Sequence, residues 1–444
     1  MSQRLYGDGG GEPRILDVIG PWAAVAMAVF SLTVLYTDLS RFAGPIGEAY
    51  LASGVLQPGG ADFAYPYSGA RALVMHVNPY HNDVPELRDP YGRDMSGLGY
   101  PPSHFLLYLP IALVAKSDRL MASRIWFHCN LAWLVVLSFL SWRLLRRLVP
   151  AVADSLWLLL PFLLFVFALG SGTLLLLERG QSDLFTSLLC WSAVLASSRR
   201  RWFLATFLAT WATLIKGYPV LFLPGFGLLG LTRSHWKGTV LGGCTAALIF
   251  LAPLARYVPG ALAMVSNRSA MFWPVWYNHS FKNLAYALSP AWAPSGHKLF
   301  TGLALVATAS CWIRARRAQD ATDRLAWLTL YTTCSLATIL GYSSLSCPYN
   351  TIIVLPGAVF LALNQRRFVA LAGIPQRFEW VLGPMIAFVG FLLFIEKLGS
   401  DTFPGGAVGL LGIVTISGFL AIAQLGVAFS QARAAVSIPA SGST

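Results

Sequence analysis

The chain has 444 residues, of which 56% are hydrophobic and only 11% are charged. Soluble globular proteins carry about 25% charged residues, so this composition excludes a soluble protein and predicts a polytopic membrane protein. The apolar runs lack the alternation of barrel strands, which favours an all-α fold. Membrane topology explains the net charge of +13, so no nucleic-acid partner is predicted.

The apolar runs predict about 12 transmembrane helices, and the first of them, about 20 residues, is long enough to cross ~30 Å of hydrocarbon. The predicted spans are residues 15–36, 120–142, 155–177, 183–198, 202–215, 219–231, 238–255, 297–313, 325–341, 351–363, 380–395 and 406–429. The first is interpreted as an uncleaved anchor, because acidic residues dilute the positive charge ahead of it. The chain then divides into a cytoplasmic tail of residues 1–14, one transmembrane domain of residues 15–430 and a cytoplasmic tail of residues 431–444.

Clusters of basic residues predict the orientation, since Lys and Arg favour the cytoplasmic ends of spans. The clusters are Arg143, Arg146 and Arg147; Arg199, Arg200 and Arg201; Arg233 and Lys237; Arg314, Arg316 and Arg317; and Arg366 and Arg367. Successive clusters are separated by enough apolar chain for two crossings, so all are expected on the cytoplasmic face of a bacterial inner membrane. Residues 37–119 and 256–296 are then long extracytoplasmic segments.

The first extracytoplasmic segment contains two candidate helices. Residues 101–116 are apolar but short for a span, which favours an interfacial or re-entrant helix; a crossing is the alternative. A helix is also predicted over Phe63–Val77, with Pro66 in its first turn. Asp62 precedes this helix and is either a helix cap or a carboxylate held ionised as a general base.

Three further polar stretches interrupt apolar sequence. Lys216 lies between two apolar half-runs, where a lysine costs roughly 2.5–3.5 kcal/mol on insertion scales and usually has a function; snorkelling to the outer interface is the alternative. The stretch "LERGQSDLF" from Leu177 is either part of a functional site or a polar turn between two helices. The stretch "FWPVWYNHSFKNL" from Phe272 is either part of a functional site or an aromatic belt with a polar turn.

The six cysteines predict no disulfide framework, because five of them fall within or at the ends of apolar runs and only Cys347 is expected outside. No Cys-x-x-Cys or His-x-x-x-His spacing occurs. No metal site and no cofactor are therefore predicted.

An ordered set of short motifs carries a resemblance to a known family. The motifs are a D-F…Y…A-R-A-L pattern from Asp62 to Leu73 with Pro66 in place of one aromatic residue, N-P-Y at Asn78–Tyr80, Y-P-P at Tyr100–Pro102, G-Q at Gly180–Gln181, a K-x-Y-P-like turn at Lys216–Pro219 and N-x-S at Asn278–Ser280. Together they resemble the GT-C class of polyprenyl-phosphate-sugar-dependent glycosyltransferases. The closest resemblance is to glycosyltransferase family 87, which includes mannosyl- and arabinofuranosyltransferases of the cell envelope.

The resemblance implies a GT-C-like fold and transfer of a sugar, with inversion, from a polyprenyl-phosphate donor to an envelope glycolipid or polysaccharide outside the cytoplasm. It implies that Asp62 is the general base. One departure concerns a histidine that family members often carry before a late span. Tyr349 and Asn350 occupy that place here, which leaves the sugar undefined.

The chemistry of the leaving group explains why one carboxylate suffices. Glycosidases need a second carboxyl group as general acid, whereas a lipid phosphate leaves as a stable anion and needs no proton. What remains is one base and positive charge or oriented donors for the phosphate. Lys216 is predicted to contact the phosphate, assisted by Arg71 or Arg268, and Gln181 and Asn278 to bind the sugar; Tyr100 is a further predicted substrate contact. Tyr65, Tyr67 and Tyr80 either stack on the sugar or form an interfacial aromatic belt, which explains them equally well.

A transporter or flippase for lipid-linked sugars is the alternative function. Transporters place ionisable residues near the bilayer midplane on related halves. The candidate residues of this chain instead cluster toward one predicted face, and no internal repeat is found, which favours the enzyme.

Overall fold

The computed structural model describes residues 61–81, 84–87, 100–148, 180–232, 234–269, 278–343, 346–375, 378–393 and 404–436, with single positions between 163 and 177. Within these ranges the regular structure is helical, as the composition predicts. The predicted N-terminal tail and the first predicted span, residues 15–36, lie outside the described residues. The C-terminal tail predicted from residue 431 begins inside a helix that continues to Val436.

The described ranges contain fifteen α-helices. In chain order they are α1 Ala61–Val74, α2 Pro102–Ala115, α3 Arg119–Leu148, α4 Asp183–Ser198, α5 Trp202–Lys216, α6 Phe222–Gly230, α7 Trp236–Phe250, α8 Val258–Ser269, α9 Phe281–Leu288, α10 Ala293–Arg317, α11 Ala321–Tyr342, α12 Leu355–Leu363, α13 Gln365–Leu371, α14 Glu379–Leu392 and α15 Gly405–Val436. Short 3-10 turns at Tyr218–Val220, Ala252–Tyr257 and Pro348–Ile353 connect some of them.

Three of these helices are long and apolar enough to cross a membrane: α3, α11 and the Gly405–Ala423 part of α15. Helix α7 and residues 252–263, bent by 54° at their junction, pass the same test only as a pair. The twelve spans therefore remain a prediction. Helices α4 and α5 begin and end almost where the spans were predicted, but at about 1.5 Å per residue they are short for a full crossing.

The bundle is organised around α11. In its most apolar window 89% of the residues are buried. A helix that faces lipid is exposed on one side, so α11 is instead surrounded by other parts of the protein. Helices α10 and α15 pack along it, and α4 and α5 form a neighbouring hairpin. A second, smaller hydrophobic cluster joins α1, α2 and the start of α3, including Phe63, Tyr108 and Trp126.

The ends of several helices bring the basic clusters together. Arg147 at the end of α3 donates to Ser198 Oγ at the end of α4 over 2.7 Å. Arg367 of α13 donates to Leu148 O over 3.2 Å and pairs with Asp323 Oδ1 at 2.6 Å. These contacts place clusters that are far apart in sequence at one end of the bundle, as expected if a single membrane face attracts them.

The two helices predicted in the first long loop are both present, with corrected bounds. Helix α1 starts at Ala61, not Phe63, and ends at Val74, so Asp62 lies inside its first turn and Pro66 beyond it. Helix α2 spans only about 21 Å along its axis, and residues such as Phe105 and Ala112 on it are fully buried. It is therefore short for a full crossing, like α4 and α5, and one side of it packs against the protein.

Close packing of α11 and α12 gives a first testable expectation. A Cβ added at Gly357 would lie 1.8 Å from Thr333 Oγ1, and the stiff β-branched threonine cannot move away easily. We expect Gly357→Ala to destabilise the protein by about 1–3 kcal/mol through overpacking, seen as a lower Tm in detergent. Gly302→Ala on α10 is the matched control, because nothing lies within 4 Å of its new Cβ; equal Tm values for the two variants would contradict the packing.

Candidate active site

Lys216 is the last residue of α5, and a glycine fixes its position. Gly217 adopts φ 72°, a left-handed conformation that ends the helix, and its N–H donates to Thr213 O over 2.8 Å. The helix before it is apolar, with buried alanines at 205, 209 and 212. The sequence thus carries an ammonium group into the interior at the end of the bundle opposite the basic clusters.

A second left-handed glycine positions the segment facing Lys216. Gly180 has φ 66°, and its carbonyl accepts from Trp126 Nε1 over 2.8 Å. A Cβ here would lie 2.7 Å from Phe63 Cβ, so glycine is required on two grounds. The turn presents Gln181 and starts α4 at Asp183, whose carboxylate lies at a helix N-terminus, where negative charge is favoured.

Lys216, Gln181 and Asp183 form a compact buried cluster. Lys216 Nζ lies 2.6 Å from Gln181 Oε1 and 3.2 Å from Asp183 Oδ2. The side chains of Lys216 and Asp183 are 4% and 0% exposed. Since a buried charge is tolerated only when it is paired, Asp183 explains how the lysine is accommodated.

Asn350 connects this cluster to the segment between α11 and α12. Its Nδ2 donates to Asp183 Oδ1 over 3.0 Å and to the hydroxyl of Tyr218 over 3.3 Å. Its Oδ1 accepts from the Cys347 backbone N–H over 2.9 Å. Both oxygens of Asp183 are therefore engaged, one by an ammonium and one by an amide.

Tyrosine rings enclose the ammonium group. Lys216 Nζ lies 5.2 Å from the ring centroid of Tyr100 and 5.7 Å from that of Tyr218, within the range of a cation–π interaction. The Tyr100 hydroxyl lies 3.4 Å from Gln181 Nε2. Tyr100 in turn stacks on His104 at 4.5 Å, so the rings connect Lys216 to helix α2.

The start of α2 caps the end of α5. Ser103 Oγ donates to Leu214 O, and His104 Nδ1 lies 2.9 Å from Ile215 O. A carbonyl can only accept, so His104 carries its proton on Nδ1. These two contacts satisfy carbonyls that the helix end leaves without partners, and they hold Tyr100 over Lys216.

Asp62 approaches the same cluster from α1. The residue is partly exposed, although its Oδ2 is buried, and the carboxylate lies close enough to interact electrostatically with both Lys216 and Tyr108. The next residue, Phe63, contacts the ring of Tyr108 at 5.7 Å and that of Trp126 at 6.1 Å between centroids. Helix α1 thus presents Asp62 beside the site, while its aromatic neighbour anchors the helix.

Two other predicted residues of α1 lie away from this cluster. Arg71 follows Asp62 by about two and a half turns, which places it roughly 13 Å along the axis and on the opposite face. Tyr67 is buried against Phe63 and donates to Lys116 O over 2.5 Å. Tyr80 is also buried and donates to Tyr100 O; burial raises the pKa of the Tyr67 and Tyr80 phenols, which therefore keep their protons.

Asn278 is linked to the Lys216 cluster through the segment that carries Asn350. Its Oδ1 accepts from the backbone N–H groups of Ser280 and Ser346, at 3.2 and 3.1 Å, and so links the start of α9 to the segment carrying Asn350. Arg268 lies in α8 and Tyr349 in the 3-10 turn before α12, but both side chains fall outside the described residues.

Asp183, Tyr218 and His104 belong to the cluster but are absent from the residues predicted from sequence. A carboxylate beginning one apolar helix and an ammonium ending the next is the signal that identifies Asp183. In a helical hairpin these two positions meet, because the connecting turn at Arg199–Arg201 lies at the other end.

Comparison with known proteins shows the family of the chain. The model of glycosyltransferase family 87 matches residues 98–340, more than half of the chain. The matched region includes Tyr100, Gln181, Asp183 and Lys216, and ends before Asn350. No curated protein and no solved structure matches the chain significantly.

Proposed function

Because the chain belongs to glycosyltransferase family 87 and is thus a membrane glycosyltransferase, we propose that it uses a polyprenyl-phosphate sugar as its donor. The acceptor is a glycolipid or polysaccharide of the cell envelope. The reaction takes place on the extracytoplasmic side of a bacterial inner membrane, within a GT-C-like fold. Between the two functions that the sequence leaves open, family membership favours the enzyme over the flippase or transporter.

The observation that carries this proposal is the cluster around Lys216. The Lys216 ammonium group, the buried Asp183 carboxylate and the carboxylate of Asp62 lie together at the end of the bundle opposite the basic clusters. Ionisable residues at membrane depth usually have a function. A positive charge beside a base is what transfer from a lipid phosphate requires.

In the proposed reaction Asp62 takes the proton of the acceptor hydroxyl. The acceptor oxygen forms a bond to the anomeric carbon while the bond between that carbon and the phosphate oxygen breaks, with inversion. The electron pair leaves with the polyprenyl phosphate, which departs as a phosphate monoester, and the proton stays on Asp62. General-base assistance of this kind contributes typically 10²–10⁴-fold.

Lys216 is the proposed contact for the phosphate. An ammonium has three N–H donors; one of them donates to Gln181 Oε1, and the charge forms an ion pair with Asp183 Oδ2 at 3.2 Å. We propose that a remaining N–H donates to a phosphate oxygen without breaking the ion pair. Negative charge grows on that oxygen as the bond breaks, so the interaction strengthens in the transition state.

The other predicted residues are proposed for the remaining parts of the substrates. Gln181, Asn278 and Asn350 supply amides for sugar hydroxyls, and Tyr67, Tyr100 and Tyr349 supply aromatic contacts. Arg71 and Arg268 are proposed for charge farther along the donor. Tyr67 is buried in α1, so its participation requires α1 to move when substrate binds.

The donor class can be tested directly with the purified full-length protein in lipid nanodiscs. Polyprenyl-phosphate mannose and polyprenyl-phosphate arabinofuranose are offered in parallel with the corresponding nucleotide sugars, all with a labelled sugar, and transfer of the label to a mixture of envelope glycolipids is measured. Transfer from one of the lipid-linked donors alone is expected. Transfer from a nucleotide sugar would contradict the proposed donor.

Transfer is expected to continue when divalent cations are chelated. Lys216 supplies the positive charge for the leaving phosphate, and the sequence contains no Asp-x-Asp pair. The turnover rate in EDTA should therefore equal the rate in Mg²⁺ or Mn²⁺, measured on the same preparation. Loss of activity in EDTA that Mg²⁺ restores would show that an ion, held for example by Asp83, Glu86, Asp89 and Asp94 of the first long loop, stabilises the phosphate instead.

A further inference from the structure

A second buried cation lies at the end of the bundle where the basic clusters meet. Arg314, in the last turn of α10, is only 7% exposed. Its Nε donates to Ala421 O of α15 over 3.0 Å, while its Nη2 is buried and has no hydrogen-bond partner in the ranges that the structure describes. The guanidinium is therefore held in place by one edge and leaves donors unused on the other.

Arg314 faces a cavity of about 210 Å³ between the end of α10, the start of α11 and the end of α13. Residues lining it include Arg314, Arg317, Gln319, Asp323, Trp327 and Leu371. Apart from Leu371, each of these side chains offers a polar group. The cavity thus combines two guanidinium groups with an amide, an indole and one carboxylate, that of Asp323.

The charges around this cavity are unbalanced. Arg314 and Arg317 are close enough to repel each other. The cavity's carboxylate, Asp323, is engaged by Arg367 at 2.6 Å, and Asp320 lies 4.0 Å from the same arginine. Among described residues, neither Arg314 nor Arg317 makes an ion pair with a carboxylate. A buried positive charge without a counter-ion is costly, so the site favours an anion.

We propose that this cavity binds a phosphate group, from either an anionic phospholipid of the adjacent leaflet or a soluble phosphate ester. The planar guanidinium groups match phosphate oxygens and bind them through paired hydrogen bonds. Arg314 Nη2 supplies a pre-positioned donor, and Arg317 adds a second charge from the exposed rim. The site is separate from the Lys216 cluster, since it lies at the opposite end of the bundle.

The test uses thermal unfolding of the full chain in nanodiscs, followed by tryptophan fluorescence. Sodium phosphate is compared with sodium chloride at equal ionic strength in phosphatidylcholine nanodiscs, and phosphatidylglycerol nanodiscs are compared with phosphatidylcholine. Since a ligand that binds only the folded state raises Tm, we expect an increase of a few degrees in one comparison or both. A response to phosphate identifies a soluble ligand, and a response confined to phosphatidylglycerol identifies a lipid.

Arg314→Gln and Arg317→Gln should each reduce that increase at least by half. Arg316→Gln is the matched control, because it removes the same charge from the same helical turn, but its guanidinium lies over the Trp312 ring at 5.5 Å and does not line the cavity. If Arg314→Gln fails to fold, Arg317→Gln alone decides. No Tm increase in either comparison, or an equal increase in Arg316→Gln and Arg317→Gln, would overturn the proposal.

Discussion

Asp62→Asn is expected to reduce the transfer rate about 10²–10⁴-fold, the usual value of a general base, while donor binding stays close to that of the parent protein. The amide keeps the shape of the carboxylate and still accepts a hydrogen bond, but it cannot take the proton of the acceptor hydroxyl. The measurement is single-turnover transfer in nanodiscs with saturating donor. Donor affinity is determined separately from displacement of a labelled polyprenyl phosphate.

Asp118→Asn provides a matched control in the same predicted extracytoplasmic segment, residues 37–119. Asp118 is an exposed carboxylate at the start of α3, where its Oδ1 accepts from the Met121 N–H over 2.8 Å. Asparagine caps a helix as well as aspartate does, so this variant should fold and turn over normally. Near-parental turnover in purified Asp62→Asn would remove Asp62 from the base role, and an equal loss in both variants would point to folding instead.

The helices were largely predictable because their signal is local. The apolar runs near 183–198, 202–215 and 325–341 correspond to α4, α5 and α11 within a few residues, since polar or charged residues bound each run. The number of membrane crossings was harder to predict from the sequence. Several apolar helices have only 14–16 residues, and whether such a helix crosses depends on its neighbours rather than on its own composition.

The candidate site was only partly predictable because its contacts join distant parts of the sequence. Lys216 stands out alone, since a lysine in an apolar run is costly wherever its partner lies. Its partner Asp183 looks like an ordinary helix start in the sequence and gains its role from a contact across the hairpin. The link between Asn350 and Asp183 spans 167 residues, and no periodicity or motif within one segment records such a pair.

The same contact changes what Lys216 is expected to do. Sequence alone suggests a lysine that recovers its burial cost by pairing with the donor phosphate. In the structure Asp183 already pairs with it, at 3.2 Å. The buried ammonium group of Lys216 therefore has a counter-ion before any substrate binds, and the donor phosphate must share it with a carboxylate. Replacing Lys216 should accordingly affect both the stability of the fold and the transfer reaction.

Lys216→Met is expected to destabilise the fold by about 3–5 kcal/mol, because it leaves the Asp183 carboxylate buried without its counter-ion. It should also weaken donor binding and slow transfer together, since the phosphate is charged in the ground state and more so in the transition state. Loss of one such electrostatic contact typically costs about 10²–10³-fold in rate. Thermal unfolding, donor affinity and single-turnover transfer measure the three effects on one preparation.

The double variant Lys216→Met/Asp183→Asn separates folding from catalysis. The amide at position 183 is neutral and can still accept from Asn350 Nδ2, so most of the lost stability should return. Transfer should stay as slow as in the single variant, because no cation faces the leaving phosphate. If the double variant instead regains parental turnover, Lys216 serves only to neutralise Asp183, and the positive charge for the phosphate must come from elsewhere, with Arg268 as the first residue to test.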